Sequence, residues 1–116
     1  MEKMRPVASL NQIPPGERKI IDYKGIEIGL FNIDGEIHAI LNRCPHMGAP
    51  LCQGKLQNEI ESETPGRYLT RNQTVLRCPW HKWEFRLIDG SCITSPDTRV
   101  KVFETQIKNG EIYLRI

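Results

Sequence analysis

The chain has 116 residues and a mass of 13.4 kDa. That is room for one domain with a modest core, but not for an oxygenase or a flavoprotein with a catalytic domain of its own. Hydrophobic residues make up 39% and charged residues 26%, and the formal net charge of +2 is spread over interspersed acids and bases, which gives no electrostatic case for nucleic acid or an anionic membrane as partner.

No apolar run approaches the roughly 18 residues that span a bilayer. Met1–Pro6 lacks the apolar core of a secretory signal, so the expected location is the cytoplasm. Thiols stay reduced there, and four cysteines point to metal or catalysis more than to two disulfides.

Taken in order, the chain reads as strands. Val7–Leu10 is a short candidate, broken by Pro14-Pro15-Gly16. Arg18–Tyr23 is rich in Ile and turns at Lys24-Gly25. Ile26–Phe31 alternates as a half-buried strand does, Asp34-Gly35 closes a tight hairpin, and Glu36–Leu41 returns. Gln53–Thr74 is polar and irregular, a surface excursion with room for a short helix within Leu56–Ser62. Tyr68-Leu69 is the expected partner of Thr74–Arg77. Trp83–Ile88 leads to a turn at Asp89-Gly90. Val100–Ile107 and Glu111–Ile116 close the chain as a hairpin around Asn109-Gly110. Three Asp-Gly or Asn-Gly pairs and no sustained helical period predict an all-β sandwich or barrel.

Two loops carry chemistry. Cys44-Pro45-His46 follows the first hairpin, and Cys78-Pro79-Trp80-His81 follows Thr74–Arg77. Each sets a thiol and an imidazole on one side of a loop stiffened by proline. Cys44, His46, Cys78 and His81 are therefore candidate ligands of one centre. A Cys₂His₂ set suits tetrahedral zinc and equally a Rieske [2Fe–2S] cluster. Zinc would serve a small domain unable to fold without it, and the strand content here weakens that need.

The flanks of both pairs resemble the Rieske family. Cys44-Pro45-His46-Met47-Gly48-Ala49-Pro50-Leu51 is similar to its first cluster loop, and Cys78-Pro79-Trp80-His81-Lys82-Trp83-Glu84-Phe85 to its second. The paired motif is specific where either half alone is not. The resemblance implies that Cys44 and Cys78 bind one iron and His46 and His81 the other, through Nδ1, with the outer imidazole edges near solvent for electron entry and exit. It also implies a single Rieske domain over 1–116, an all-β fold of stacked antiparallel sheets. Its cluster-binding loops fall at about 42–54 and 77–86, with a polar insertion at about 55–74. High-potential Rieske proteins carry an extra disulfide and two sulfur-facing hydroxyls. The matching positions here are Ala49 and Trp80, then Trp83 and Phe85, so a potential near the low end of the Rieske range, about −150 mV, is expected. Two features depart from the family pattern. Met47–Arg77 puts 31 residues between the ligand pairs, and Lys82 stands where glycine is usual.

The remaining candidates have plainer readings. His38 alternates with apolar residues and reads as a strand residue. Cys52 and Cys92 read as small buried fillers, with spare ligand or redox pair as the alternatives. Trp80 and Trp83 read as shields of the cluster, with electron routing as the alternative. Ser95-Pro96-Asp97 resembles the family's covering third loop, and Glu59, Glu61 and Glu63 read as a solvated face. A 2-His-1-carboxylate iron site would need two further histidines, and only His38 remains.

The resemblance thus implies a soluble one-electron carrier, not an enzyme by itself, monomeric or weakly associating. Its donor would be a flavoprotein reductase and its acceptor a terminal oxygenase or reductase. Two alternatives stand beside it: a small Rieske subunit of a reductase, of the nitrite reductase kind, and a zinc-stabilised binding module.

Overall fold

The computed structural model describes residues 4–45, 48–58, 74–79, 83–93, 95 and 97–115. Its strands are β1 (Met4–Ser9), β2 (Arg18–Tyr23), β3 (Ile26–Ile33), β4 (Glu36–Leu41), β5 (Lys55–Asn58), β6 (Thr74–Arg77), β7 (Glu84–Arg86), β8 (Val102–Lys108) and β9 (Glu111–Arg115). Short 3₁₀ turns lie at Leu10–Gln12 and Leu51–Gln53. The strands form a six-stranded sheet in the order β1-β9-β8-β4-β3-β2 and a three-stranded sheet in the order β5-β6-β7. Every neighbouring pair is antiparallel, so the all-β expectation holds.

Three hairpins close on two residues of positive φ: Lys24-Gly25 (52° and 88°), Asp34-Gly35 (54° and 94°) and Asn109-Gly110 (53° and 77°). Left-handed backbone at both central positions is the type I′ turn whose twist suits antiparallel strands. Asp89-Gly90 differs. Only Gly90 has positive φ there, and the chain reverses through a wider loop in which the Gly90 N–H donates to the Arg86 carbonyl at 2.8 Å. β7 therefore stops at Arg86, short of the expected Ile88.

β3 corrects the half-buried expectation. Ile28 through Asn32 are all buried. Ile28 and Leu30 pack with Ile112 and Leu114 on one face, while Phe31 joins Ile40, Leu51 and Leu76 on the other. The small sheet and the two Cys-His loops cover the face that an isolated hairpin would leave wet. Each such large side chain removed from water contributes roughly 1.5–3 kcal/mol.

The stretch from Gln53 also differs from its irregular reading. Lys55–Asn58 is a strand in register with β6, from Lys55 opposite Arg77 to Asn58 opposite Thr74. β6 has β5 on one edge and β7 on the other, and Leu56–Asn58 is extended rather than helical. No residue of Lys-Leu-Gln-Asn is β-branched or aromatic, so the pairing is imposed by β6 and not by local propensity. Residues 59–73, including Tyr68-Leu69 and the three glutamates, lie outside the described residues.

Candidate metal centre

β4 delivers the first loop. Beyond Leu41, the Cys44 N–H donates to the Ala49 carbonyl at 2.8 Å and the Gly48 N–H donates to the Cys44 carbonyl at 2.7 Å. Both bonds fold 44–49 into a closed turn, and Gly48 takes φ +74° within it, a conformation costly for other residues.

The second loop is the six-residue connector of the β6–β7 hairpin. Arg77 pairs with Glu84 at its base, and just inside, the Cys78 N–H donates to the Trp83 carbonyl at 2.7 Å.

The loops meet at Gly54. A Cβ at that position would lie 1.8 Å from the Arg77 carbonyl oxygen. Gly54 has φ −74° and ψ 177°, which any residue adopts, so glycine is needed here for space alone. The residue after the first loop's 3₁₀ turn is thereby seated against the residue before Cys78.

Cys52 pegs the first loop to the large sheet. Its N–H donates to Asn42 Oδ1 at 2.7 Å, and its thiol donates to the Ile40 carbonyl at 3.4 Å. The sulfur occupies a hollow left by Gly29 of β3, where a Cβ would approach it to 2.4 Å. Asn42 is in turn fixed by its Nδ2, which donates to Glu27 Oε1 at 3.1 Å. Burial pushes the Cys52 thiol up to about 12, outweighing the opposing influences of a bond with the Gly29 backbone and of the Arg18 charge, so it keeps its proton and serves as a donor and filler. Cys92 is buried too. It lies opposite Phe85, and its N–H donates to the Thr98 carbonyl at 3.0 Å.

Cys44 and Cys78 are 0% and 1% exposed and belong to one packed cluster with Leu51, Leu76 and Phe85. No cysteine of the chain is in a disulfide. Two reduced thiols, delivered by different loops into one water-poor region, are the soft donors that an iron–sulfur centre requires, and the residues fit such a group. Among the described residues, no set of three or more His, Cys, Asp or Glu forms a metal-holding group. His46, Trp80, His81 and Lys82 lie outside the described residues.

Trp83 is partly buried against the same cluster, the position of a shield. Phe85, opposite Leu76 and fully buried, brings no hydroxyl. Ser95 and Thr98 close the third loop through a Thr98 N–H to Ser95 carbonyl bond of 2.9 Å and a hydroxyl pair at 3.0 Å. His38 stands opposite Phe31, toward the Glu36 end of β4 and away from Cys44. Burial lowers its pKa, against the opposing effects of Glu36 and a bond to the Leu87 backbone.

Sequence reasoning missed Gly54, Gly29 and Asn42. Gly29 carried a signal, since a glycine inside a strand often marks close approach. Gly54 and Asn42 stand in loops, where their residue types are ordinary.

The family model for the Rieske [2Fe-2S] domain matches residues 3–104. The chain belongs to that family. Rieske membership gives it a Rieske-type [2Fe–2S] cluster as cofactor and electron carriage as its role. It is 31% identical over 111 residues to the 3-phenylpropionate/cinnamic acid dioxygenase ferredoxin subunit of Photorhabdus laumondii, covering 95% of this Rieske chain and 91% of that one. The ferredoxin of carbazole 1,9a-dioxygenase from Nocardioides aromaticivorans shares the fold at TM-score 0.73 and 23% identity, with 97% of each chain covered. A Mycobacterium tuberculosis structure assigned as an NADH-dependent nitrite reductase small subunit does so at TM-score 0.76 and 24% identity, covering 98% of this chain and 95% of that one. Among the described residues, no helix is long and apolar enough to cross a membrane.

Proposed function

We propose that this Rieske protein is the ferredoxin component of a multicomponent oxygenase system in the cytoplasm. It takes single electrons from a flavoprotein reductase and delivers them to a terminal oxygenase of the aromatic-ring type, without being an enzyme by itself. Residues 1–116 form one domain in this reading. Cys44 and Cys78 hold one iron and His46 and His81 the other, and the bound cluster supplies the one-electron chemistry. The burial of Cys44 and Cys78 in one apolar cluster is the observation that carries the ligand reading.

The chain's own residues do the rest. The Cys44–Ala49 and Cys78–Trp83 bonds fix the two loops. Leu51, Leu76 and Phe85 exclude water behind the thiols. Gly54 sets the distance of approach between the loops. Trp83 and Phe85 offer no hydroxyl to a cluster sulfur, which favours a potential near the low end of the Rieske range, about −150 mV. The sequence likeness to a dioxygenase ferredoxin subunit at 31% identity favours an oxygenase system over the reductase-subunit alternative, whose support is the shared fold.

Two measurements test this. Cys44→Ser and Cys78→Ser should each abolish the visible absorption and the iron content of the purified protein, whereas Cys92→Ala should keep both. A Cys44→Ser protein that retains its iron sinks the ligand set. For the pathway, the reduced protein should pass electrons rapidly to a purified ring-hydroxylating oxygenase. Transfer to a nitrite reductase large subunit and to no oxygenase would overturn that assignment.

A further inference from the structure

The side chain of Arg18, from the large sheet, reaches the junction of the two cluster loops. Arg18 opens β2, one of the two edge strands of the six-stranded sheet, and stands directly opposite Phe31 of β3. Its guanidinium lies over the Phe31 ring, 5.3 Å from the centroid. From there Nη1 donates to the Cys52 carbonyl at 2.8 Å and to the Gly54 carbonyl. The contacts span 34 and 36 residues of sequence. The two carbonyls belong to the last turn of the first loop, and Gly54 is the residue seated on the Arg77 carbonyl, one position before Cys78.

We propose that Arg18 is a positioning residue for the cluster: it clamps the exit of the first loop so that Gly54 stays seated on the second. Three observations converge on this role. Backbone carbonyls at the end of a 3₁₀ turn lack the partners that a continuing helix would supply, and here both are answered by one charged donor. Bonds from a charged group to a carbonyl are stronger than neutral ones. The guanidinium is itself held over a fully buried ring, which limits the freedom of the donor in the folded protein. Arg18 acts through the backbone of the loop, on the Cys52 and Gly54 carbonyls.

The inference rests on the cluster reading above, yet the two fail separately. The cysteine variants test the ligands, and the ratio of Arg18-variant to wild-type behaviour tests the clamp. The experiment follows iron release to a chelator by the decay of visible absorption, with visible circular dichroism of the oxidised cluster as a reporter of ligand geometry. Global stability is measured in parallel by denaturant titration of the holoprotein.

Arg18→Met should release iron at least about tenfold faster than wild type, with an altered visible dichroism and a smaller proportional change in global stability. Arg18→Lys should fall between them, because an ammonium donates to the same carbonyls but does not stack flat on Phe31. Release by Arg18→Met within about twofold of wild type, or acceleration no greater than its loss of global stability predicts, overturns the clamp. Should Arg18→Met not fold, Arg18→Lys decides alone: intermediate release with shifted dichroism supports the role, and wild-type behaviour in both overturns it.

Discussion

The two Cys-His loops are held in place by different means. The second is the connector of a hairpin, fixed by the ladder of Val75, Leu76 and Arg77 against Arg86, Phe85 and Glu84 and closed by the Cys78–Trp83 bond. These supports lie within about a dozen residues of sequence. The first loop has a closed turn of its own, but its exit is fastened by distant groups. These are the Gly29 hollow, the Asn42 amide and the Ile40 carbonyl around Cys52, with Arg18 on the carbonyls beyond. A loop supported by its own hairpin forms whenever the hairpin forms. A loop supported by side chains from elsewhere is correct only once the large sheet is complete, because the entropy of closing the intervening chain must be met first. The position of Cys44 relative to Cys78 is therefore a property of the whole fold, while the position of Cys78 relative to β7 is local.

That contrast is broken most directly at Gly54, where the two modes of support meet. Gly54→Ala places a methyl group 1.8 Å from a backbone oxygen, and a backbone atom cannot swing aside as a side-chain tip can. The expected cost is about 3 kcal/mol or more, seen as a lower denaturant midpoint together with loss of cluster absorption. A variant within about 1 kcal/mol of wild type would mean that the loops tolerate separation.

The next effect is smaller and lies wholly on the first loop. Gly29→Ala should cost about 2 kcal/mol by driving into the Cys52 sulfur, and Cys52→Ala about 1 kcal/mol through lost packing. The double variant should cost less than the two together by at least about 0.5 kcal/mol, because removing the sulfur opens room for the new methyl. Strict additivity would show that the hollow does not hold the loop. Cys52→Ala should retain the cluster spectrum throughout, since its thiol is spoken for by Ile40.

Much of this architecture is legible in the sequence, for physical reasons specific to each part. The three type I′ hairpins are announced by their turn pairs, because left-handed backbone at two successive positions demands residues such as Asp, Asn and Gly. Lys24 shows the limit: it sits at φ 52° with no such propensity, helped by the Asp22 carboxylate that accepts from the Gly25 N–H at 2.9 Å. The gathering of Cys44 and Cys78 into one buried cluster was legible because Cys and His at short spacing on a proline-stiffened loop have few other uses. β5 was not, since its polar Lys-Leu-Gln-Asn run is extended by its neighbour. Nor was burial of β3 on both faces, which depends on what packs over Gly29 and Phe31. The supports of the first loop were the least visible. Arg18 and Cys52 are 34 residues apart, and an arginine at the start of an edge strand ordinarily faces water.

The smallest predicted effect concerns the far end of the small sheet, away from both thiols. His38 projects from β4 and bonds the backbone of Leu87, just past the end of β7, so it ties the small sheet to the large one. Glu36 Oε1 lies 3.8 Å from its Nε2. Burial lowers the ring's pKa from its ordinary 6.5 and prevails over the Glu36 charge and the Leu87 bond, both of which raise it. With the folded value below the unfolded one, the unfolded chain takes up its proton first as pH falls. The unfolded state then binds more protons than the native state, and stability declines from about pH 7 downward until the folded ring is protonated too. The chain has two further histidines, so the informative quantity is the difference between wild type and His38→Gln. Denaturant midpoints at about pH 7.5 and about pH 5.5 should fall more steeply for wild type than for the variant. Equal slopes would mean that the His38 contact does not sense its burial, and that the small sheet is tied to the large one by the loops and the apolar cluster instead.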